Sequence, residues 1–377
     1  MMIPLNDLSR QAEALTEEIQ RAISGVARSG QYLFGTHVTE FEKSFADYCG
    51  ARHCIAVANG TDALELALRA LNCGPGNKVA TVANAGMYSA AATMSVGAKP
   101  VLVDVGARTM TMAPEALAHS IEQGVKAVVV THLYGQLAEI DQLATIAREY
   151  GLALIEDCAQ AHGARRNGRC AGTWGDLGCY SFYPTKNLGC LGDGGAIVTN
   201  NEAHAIALRE LRQYGWQTKY HAVRPYGRNS RMDEIQAAVL RIKLPHLDRW
   251  NDRRRAIVRR YRDAAKQAIA FPDADGADYV AHLCVIRSPQ RDLLRQWLAA
   301  DGIASEIHYP IPDHRQPALS HVLPADLSLP VSEQVANEIL TLPCFPELSE
   351  AEIDHICASL ARFRETVAPR QFVTTAP

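Results

Sequence analysis

Short apolar runs alternate with stretches of helical periodicity through the first 245 residues. His53–Ala58, Lys78–Val82, Pro100–Val105, Ala127–His132, Leu152–Asp157, Gly178–Phe182 and Gly195–Thr199 are each five or six residues long. Runs of this length, nearly continuous in apolar character, predict strands buried on both faces. Thr61–Leu71 reads as a helix, with Leu64, Leu68 and Leu71 on one face and Glu65 and Arg69 as an exposed i,i+4 pair. The alternation predicts an α/β fold with a mostly parallel sheet covered by helices.

The pattern changes after Pro245. Asp248–Tyr261 predicts a charged helix in which Trp250, Ile257 and Tyr261 form an apolar stripe and Arg253–Arg255 a solvated face. A strand at Ala281–Ile286, a helix at Arg291–Ala300 and a strand at Ile303–Tyr309 follow. Helices at Ser332–Leu340 and Ser349–Phe363 come next, then a frayed tail from Val367 to Pro377. The expected organisation is a large domain over residues 1–245 and a smaller C-terminal α/β domain over 246–377.

Composition narrows the function classes. The 377 residues carry a formal charge of -3, which gives nucleic acid no basic face to bind. No apolar run reaches the ~18 residues of a membrane span. Ten scattered cysteines without a C-x-x-C pair read as reduced thiols of a cytoplasmic protein, Cys158 and Cys190 among them as packing residues. No metal-ligand spacing stands out.

The most informative residue is Lys186, in Tyr180-Ser181-Phe182-Tyr183-Pro184-Thr185-Lys186-Asn187-Leu188-Gly189. A lysine at a strand end, beside serine and followed by Gly192, Gly194 and Gly195, suits a Schiff base with an aldehyde cofactor. Asp157 closes an upstream apolar run and suits a protonated pyridine nitrogen. Together they are the two groups that pyridoxal phosphate (PLP) asks of a protein. Asn59-Gly60-Thr61-Asp62 lies between a strand and a helix, where free N–H groups and the helix dipole make a phosphate seat. The plainer reading of that turn is a helix cap by Thr61 or Asp62. Gln160 is positioned to meet a ring oxygen, and His162 reads as structural. Walker, dinucleotide-binding, H-E-x-x-H and G-x-S-x-G patterns are absent from the sequence.

Five blocks taken in order resemble the DegT/DnrJ/EryC1/StrS family of PLP-dependent sugar aminotransferases, which have the aspartate-aminotransferase fold. They are Gly60–Leu64, Glu156–Gln160, Ser181–Asn187, Gly192–Gly195 and Asn229–Ala238. The resemblance implies that Lys186 is the Schiff-base lysine and Asp157 the partner of the ring nitrogen, with Gln160 at the ring oxygen. It places Gly60, Thr61 and Ser181 on the phosphate. Asn229 reaches the phosphate in a neighbouring subunit, which implies a homodimer with shared active sites. Tyr88 is the candidate for stacking on the ring, with Met87 the alternative.

The resemblance further implies transfer of an amino group from L-glutamate to a nucleotide-linked ketosugar. The lysine loop and the segment His308–Pro317 look most like members that aminate C-3 of a dTDP-linked 3-keto-6-deoxyhexose. Tyr183, Lys219, Arg231, His308 and His314 are the sugar-nucleotide candidates, Lys219 for a nucleotide phosphate. Products of this kind feed lipopolysaccharide, O-antigen or glycosylated natural products. The alternatives are amination at C-4 or of a UDP-linked sugar, sugar dehydration, and a non-catalytic regulatory relative.

Overall fold

The computed structural model describes residues 2–266, 269–272 and 275–367. Seven strands make one sheet: β1 (His53–Val57), β2 (Lys78–Val82), β3 (Lys99–Val103), β4 (Ala127–Thr131), β5 (Ala153–Asp157), β6 (Leu177–Ser181) and β7 (Gly195–Thr199). Their order is β1-β7-β6-β5-β4-β2-β3. Only β7 runs antiparallel to its neighbours, so the sheet is mostly parallel, as the strand–helix alternation predicts. Along β4, Val128 and Val130 join one apolar cluster while Ala127 and Val129 join another on the opposite face. Two covered faces explain why the strand carries no polar alternation.

The helix Gly60–Ala70 returns across one face with Leu64, Leu66, Ala67 and Leu68 buried. Its predicted exposed pair is not formed. Glu65 is buried and pairs with Arg228, while the Arg69 guanidinium lies 5.2 Å from the centroid of the Tyr226 ring. A long-range arginine displaced the local partner, which sequence spacing could not anticipate.

Toward the C-terminus, the helix Leu247–Ala265 packs on the helix Glu350–Val367. Cys284–Arg287 pairs antiparallel with Ile339–Leu342. Three expectations are corrected here. Ile303–Tyr309 is not a strand: it makes only the isolated bridges Ile3↔Ile303 and Glu306↔Thr341 before leaving for the large sheet. The helix expected at Ser332–Leu340 runs from Pro330 to Glu338, and Ile339 and Leu340 begin a strand. Arg254 is not on a solvated face. Its guanidinium is buried and donates to the carbonyls of Cys344 and His282, while Arg253 and Arg255 pair with Glu350 and Asp252. Three consecutive residues span most of a helix circumference, so one of them must face inward. The expected frayed tail lies, from residue 368 onward, outside the described residues. Among the described residues no helix is long and apolar enough to cross a membrane.

Candidate active site

A cavity of about 490 Å³ opens at the carboxyl ends of β4, β5 and β6. Open parallel sheets bind ligands at this edge, where strand ends and helix starts present their backbone groups. Thr131, Asp157 and Ser181 come from the three strand ends, and Gly60 and Thr61 from the start of the Gly60–Ala70 helix.

That helix start is built for close approach. Asn59 is its cap, with Oδ1 accepting from the Asp62 N–H at 2.8 Å. Neither Thr61 nor Asp62 caps it. The Asp62 carboxylate lies 3.2 Å from Arg228 and is not part of the cavity wall. One residue beyond Thr61 the helix has turned about 100°, and an acid aimed at an anion seat would repel it. A Cβ on Gly60 would stand 2.6 Å from the Ser181 Cβ, so only glycine lets strand and helix meet here.

Asp157 is 5% exposed. Its Oδ1 accepts from the Ala159 N–H at 3.1 Å, and its Oδ2 lies 3.3 Å from the Thr131 hydroxyl and 3.5 Å from that of Ser89. Among the described residues no cation ion-pairs with it. Burial raises the carboxyl above its ordinary value, while the Ala159 N–H and the charge of Lys186 pull it down. Lys186 also lines the cavity, and burial pushes its amine down to about 8, with the Asp157 charge opposing.

Gln160 lines the cavity with its amide fixed. Oε1 accepts from the Tyr134 N–H at 2.6 Å and Nε2 lies 3.3 Å from the Tyr309 hydroxyl. Tyr88 stands on the cavity wall, edge-on to Tyr309, whereas Met87 packs into a separate apolar cluster with Ala83, Leu102 and Leu319. Tyr183 is exposed and lines the cavity too.

The remaining candidates are not on this cavity. Asn229 is exposed and bridges to Gln213; Arg231 is half-buried; Lys219 projects from the short hairpin formed by Trp216–Thr218 and His221–Ala222. His308 lies 2.8 Å from the Thr341 hydroxyl and lines a smaller neighbouring cavity. The His314 side chain is fully enclosed and bonded to Glu333 at 2.8 Å, so it offers no free face to a sugar. Thr131, Ser89 and Asp193 belong to the site and escaped sequence reasoning. Thr131 could have been found as the strand-end residue registered opposite Asp157.

The arrangement suits PLP. Its donor set provides a buried carboxylate with no ion-paired cation among the described residues for a pyridinium, an amine of lowered basicity for an aldehyde, and a glycine-lined helix start with two hydroxyls for a phosphate. Residues 13–361 match the DegT/DnrJ/EryC1/StrS aminotransferase family, and the chain belongs to it. The chain is 42% identical over 369 residues to a dTDP-3-amino-3,4,6-trideoxy-alpha-D-glucose transaminase of Streptomyces venezuelae, covering 97% of each chain. It is 41% identical over 369 residues to a pleiotropic regulatory protein of Geobacillus stearothermophilus, covering 96% of this chain and 99% of that one. Its fold superposes on the crystal structure of S. venezuelae DesV in complex with a ketimine intermediate, with a TM-score of 0.93, 41% identity and coverage of 97% and 99%. The protein is a PLP-dependent aminotransferase.

Proposed function

We propose that the protein transfers an amino group from L-glutamate to C-3 of a dTDP-linked 3-keto-6-deoxyhexose. The observation that carries this reading is the pair Lys186 and Asp157 on one cavity, in a chain 42% identical to a transaminase of dTDP-3-amino sugars. PLP, when bound, supplies the electron sink for the bond broken at the amino carbon. The chain does the rest. Gly60, Thr61 and Ser181 bind the phosphate, Asp157 holds the proton on the pyridine nitrogen, and Gln160 orients the ring oxygen. Tyr88 covers one ring face. Lys186 Nζ, whose lowered basicity leaves part of it neutral near pH 8, would carry the proton from the donor Cα to the cofactor within the first half-reaction and, in the reverse sense, from the cofactor to the sugar carbon in the second. Tyr183, Arg231, Lys219 and His308 contact the sugar nucleotide. Asn229 extends to the site of a second copy, giving a cytoplasmic homodimer with shared sites.

The test is the visible spectrum of the purified holoenzyme. L-glutamate should bleach the yellow band of the lysine-bound aldehyde. One member of a panel of dTDP- and UDP-linked 3- and 4-ketosugars should restore it. Restoration by a 4-keto or UDP-linked sugar would move the acceptor assignment accordingly. The relative named as a regulatory protein supports a second reading, a regulator on the same scaffold. A Lys186→Ala variant that kept full biological activity would favour that reading.

A further inference from the structure

The segment His308–Pro317, expected from the sequence to contact the sugar, brings a different group toward the site. It crosses from the C-terminal strands to the large sheet and brings Asp313, which is 1% exposed and lies outside the cavity. The Asp313 N–H donates to the Ala83 carbonyl at 2.6 Å. Its Oδ1 accepts from the Met87 N–H at 2.9 Å, and the Gly86 N–H is a second donor to the carboxylate. Gly86 and Met87 have φ of 73° and 72°. The N–H groups of these two successive residues both meet the carboxyl, as successive amides of a turn do in an anion-binding concavity. Glycine adopts such a positive φ freely, but methionine does so at a cost and must be held there.

Met87 directly precedes the helix Tyr88–Ser95 and occupies its cap position without any side-chain cap bond of its own. Asp313 supplies the missing acceptor from 226 residues away. The helix it caps opens with two site residues: Tyr88 on the cavity wall, and Ser89 with its hydroxyl 3.5 Å from Asp157.

We propose that Asp313 is a positioning residue of the active site, which caps the Tyr88–Ser95 helix and thereby sets Tyr88 over the cofactor ring and Ser89 against Asp157. The proposal rests on the role given above to Tyr88. It assigns the C-terminal segment a task other than substrate contact: it fixes the geometry of a helix belonging to the large sheet.

The experiment compares holoenzyme carrying Asp313→Asn, Tyr88→Ala and both. Readouts are the PLP dissociation constant, the visible circular dichroism of the bound cofactor, and the melting temperature. Asparagine keeps the volume but puts a donor where the carboxyl has its second oxygen, so it offers one acceptor oxygen to the two N–H groups in place of two. Asp313→Asn should weaken PLP retention about 10-fold, the scale of a lost cap, and change the dichroic band. In the Tyr88→Ala background it should add little to either. Full additivity, or an unchanged band and retention in Asp313→Asn while Tyr88→Ala alters them, overturns the proposal. An unchanged band in Tyr88→Ala also overturns it, and locates the failure in the Tyr88 reading instead. Should Asp313→Asn give no folded protein, Asp313→Ser is measured in the same way.

Discussion

Glu156 and Asp157 are neighbours in the chain and serve opposite sides of the same sheet. Glu156 is wholly buried, and its carboxylate accepts from the N–H groups of Gly172, Trp174 and Gly175 and from His132 Nε2. His132 Nδ1 in turn accepts from the Ala138 N–H, which assigns the ring proton to Nε2. Asp157 lines the cavity. The pleat separates two acids of like chemistry into a structural anchor and a site group. Asp157→Asn should therefore retain cofactor and slow the glutamate half-reaction about 10³-fold, the scale of a lost electrostatic stabiliser. Glu156→Gln should cost about 1–3 kcal/mol of stability and leave that rate close to wild type. Stopped-flow bleaching and thermal melts on both variants separate the two roles.

The Lys186 amine is held down to about 8 by burial. Between that value and its ordinary 10.5 the native apoprotein has released a proton that the unfolded chain still binds. The charged form is disfavoured in the fold, so stability rises with pH across this window. Lys186→Met should raise the melting temperature of the apoprotein at pH 7, and the gain should shrink toward pH 10.5. Reductive labelling of apoprotein Lys186 by a small aldehyde should accelerate as pH rises to about 8 and then level off.

Asp313 shows the same linkage for an acid. Burial lifts its carboxyl from 3.8 to about 7 against the pull of the Met87 and Gly86 N–H groups. The native state keeps a proton that the unfolded chain has lost, so this contribution to stability is full below 3.8 and disappears as pH rises through 7. The melting temperature of Asp313→Asn relative to wild type should climb between pH 5 and pH 8. A constant offset would show that Asp313 does not titrate there.

Gly60→Ala tests the phosphate seat through packing alone. The new methyl would meet Ser181 Cβ at 2.6 Å, forcing helix start and strand end apart where the phosphate is to be gripped. PLP retention should fall at least 10-fold, about 1.4 kcal/mol, as equilibrium dialysis of the cofactor would show.

The proposed sharing of sites between copies predicts complementation. Lys186→Ala and Asn229→Ala homodimers should each be inactive. After subunit exchange, mixed dimers hold one intact site of two, so activity should return to roughly a quarter of wild type, as random two-fold pairing requires. No recovery would place Asn229 outside the neighbouring site.

The sequence by itself determined the seven strands of the large sheet, their burial on both faces and their mostly parallel assembly, because continuous apolar runs between helical stretches leave few other solutions. It also marked Lys186, Asp157, Gly60 and Ser181, whose residue types at strand ends and helix starts suit one cofactor. Only the tertiary structure decided that Asn59, rather than Thr61 or Asp62, caps the helix. It also turned His314 inward to Glu333, packed the half-buried Met87 against a separate apolar cluster and put Tyr88 on the wall. Asp313 had no local signal at all, since its partners are the N–H groups of a turn 226 residues away. Strand and helix patterns repeat over two or four residues and are visible in a short window. Pairings between distant segments depend on how the chain closes, and they exist only once it has folded.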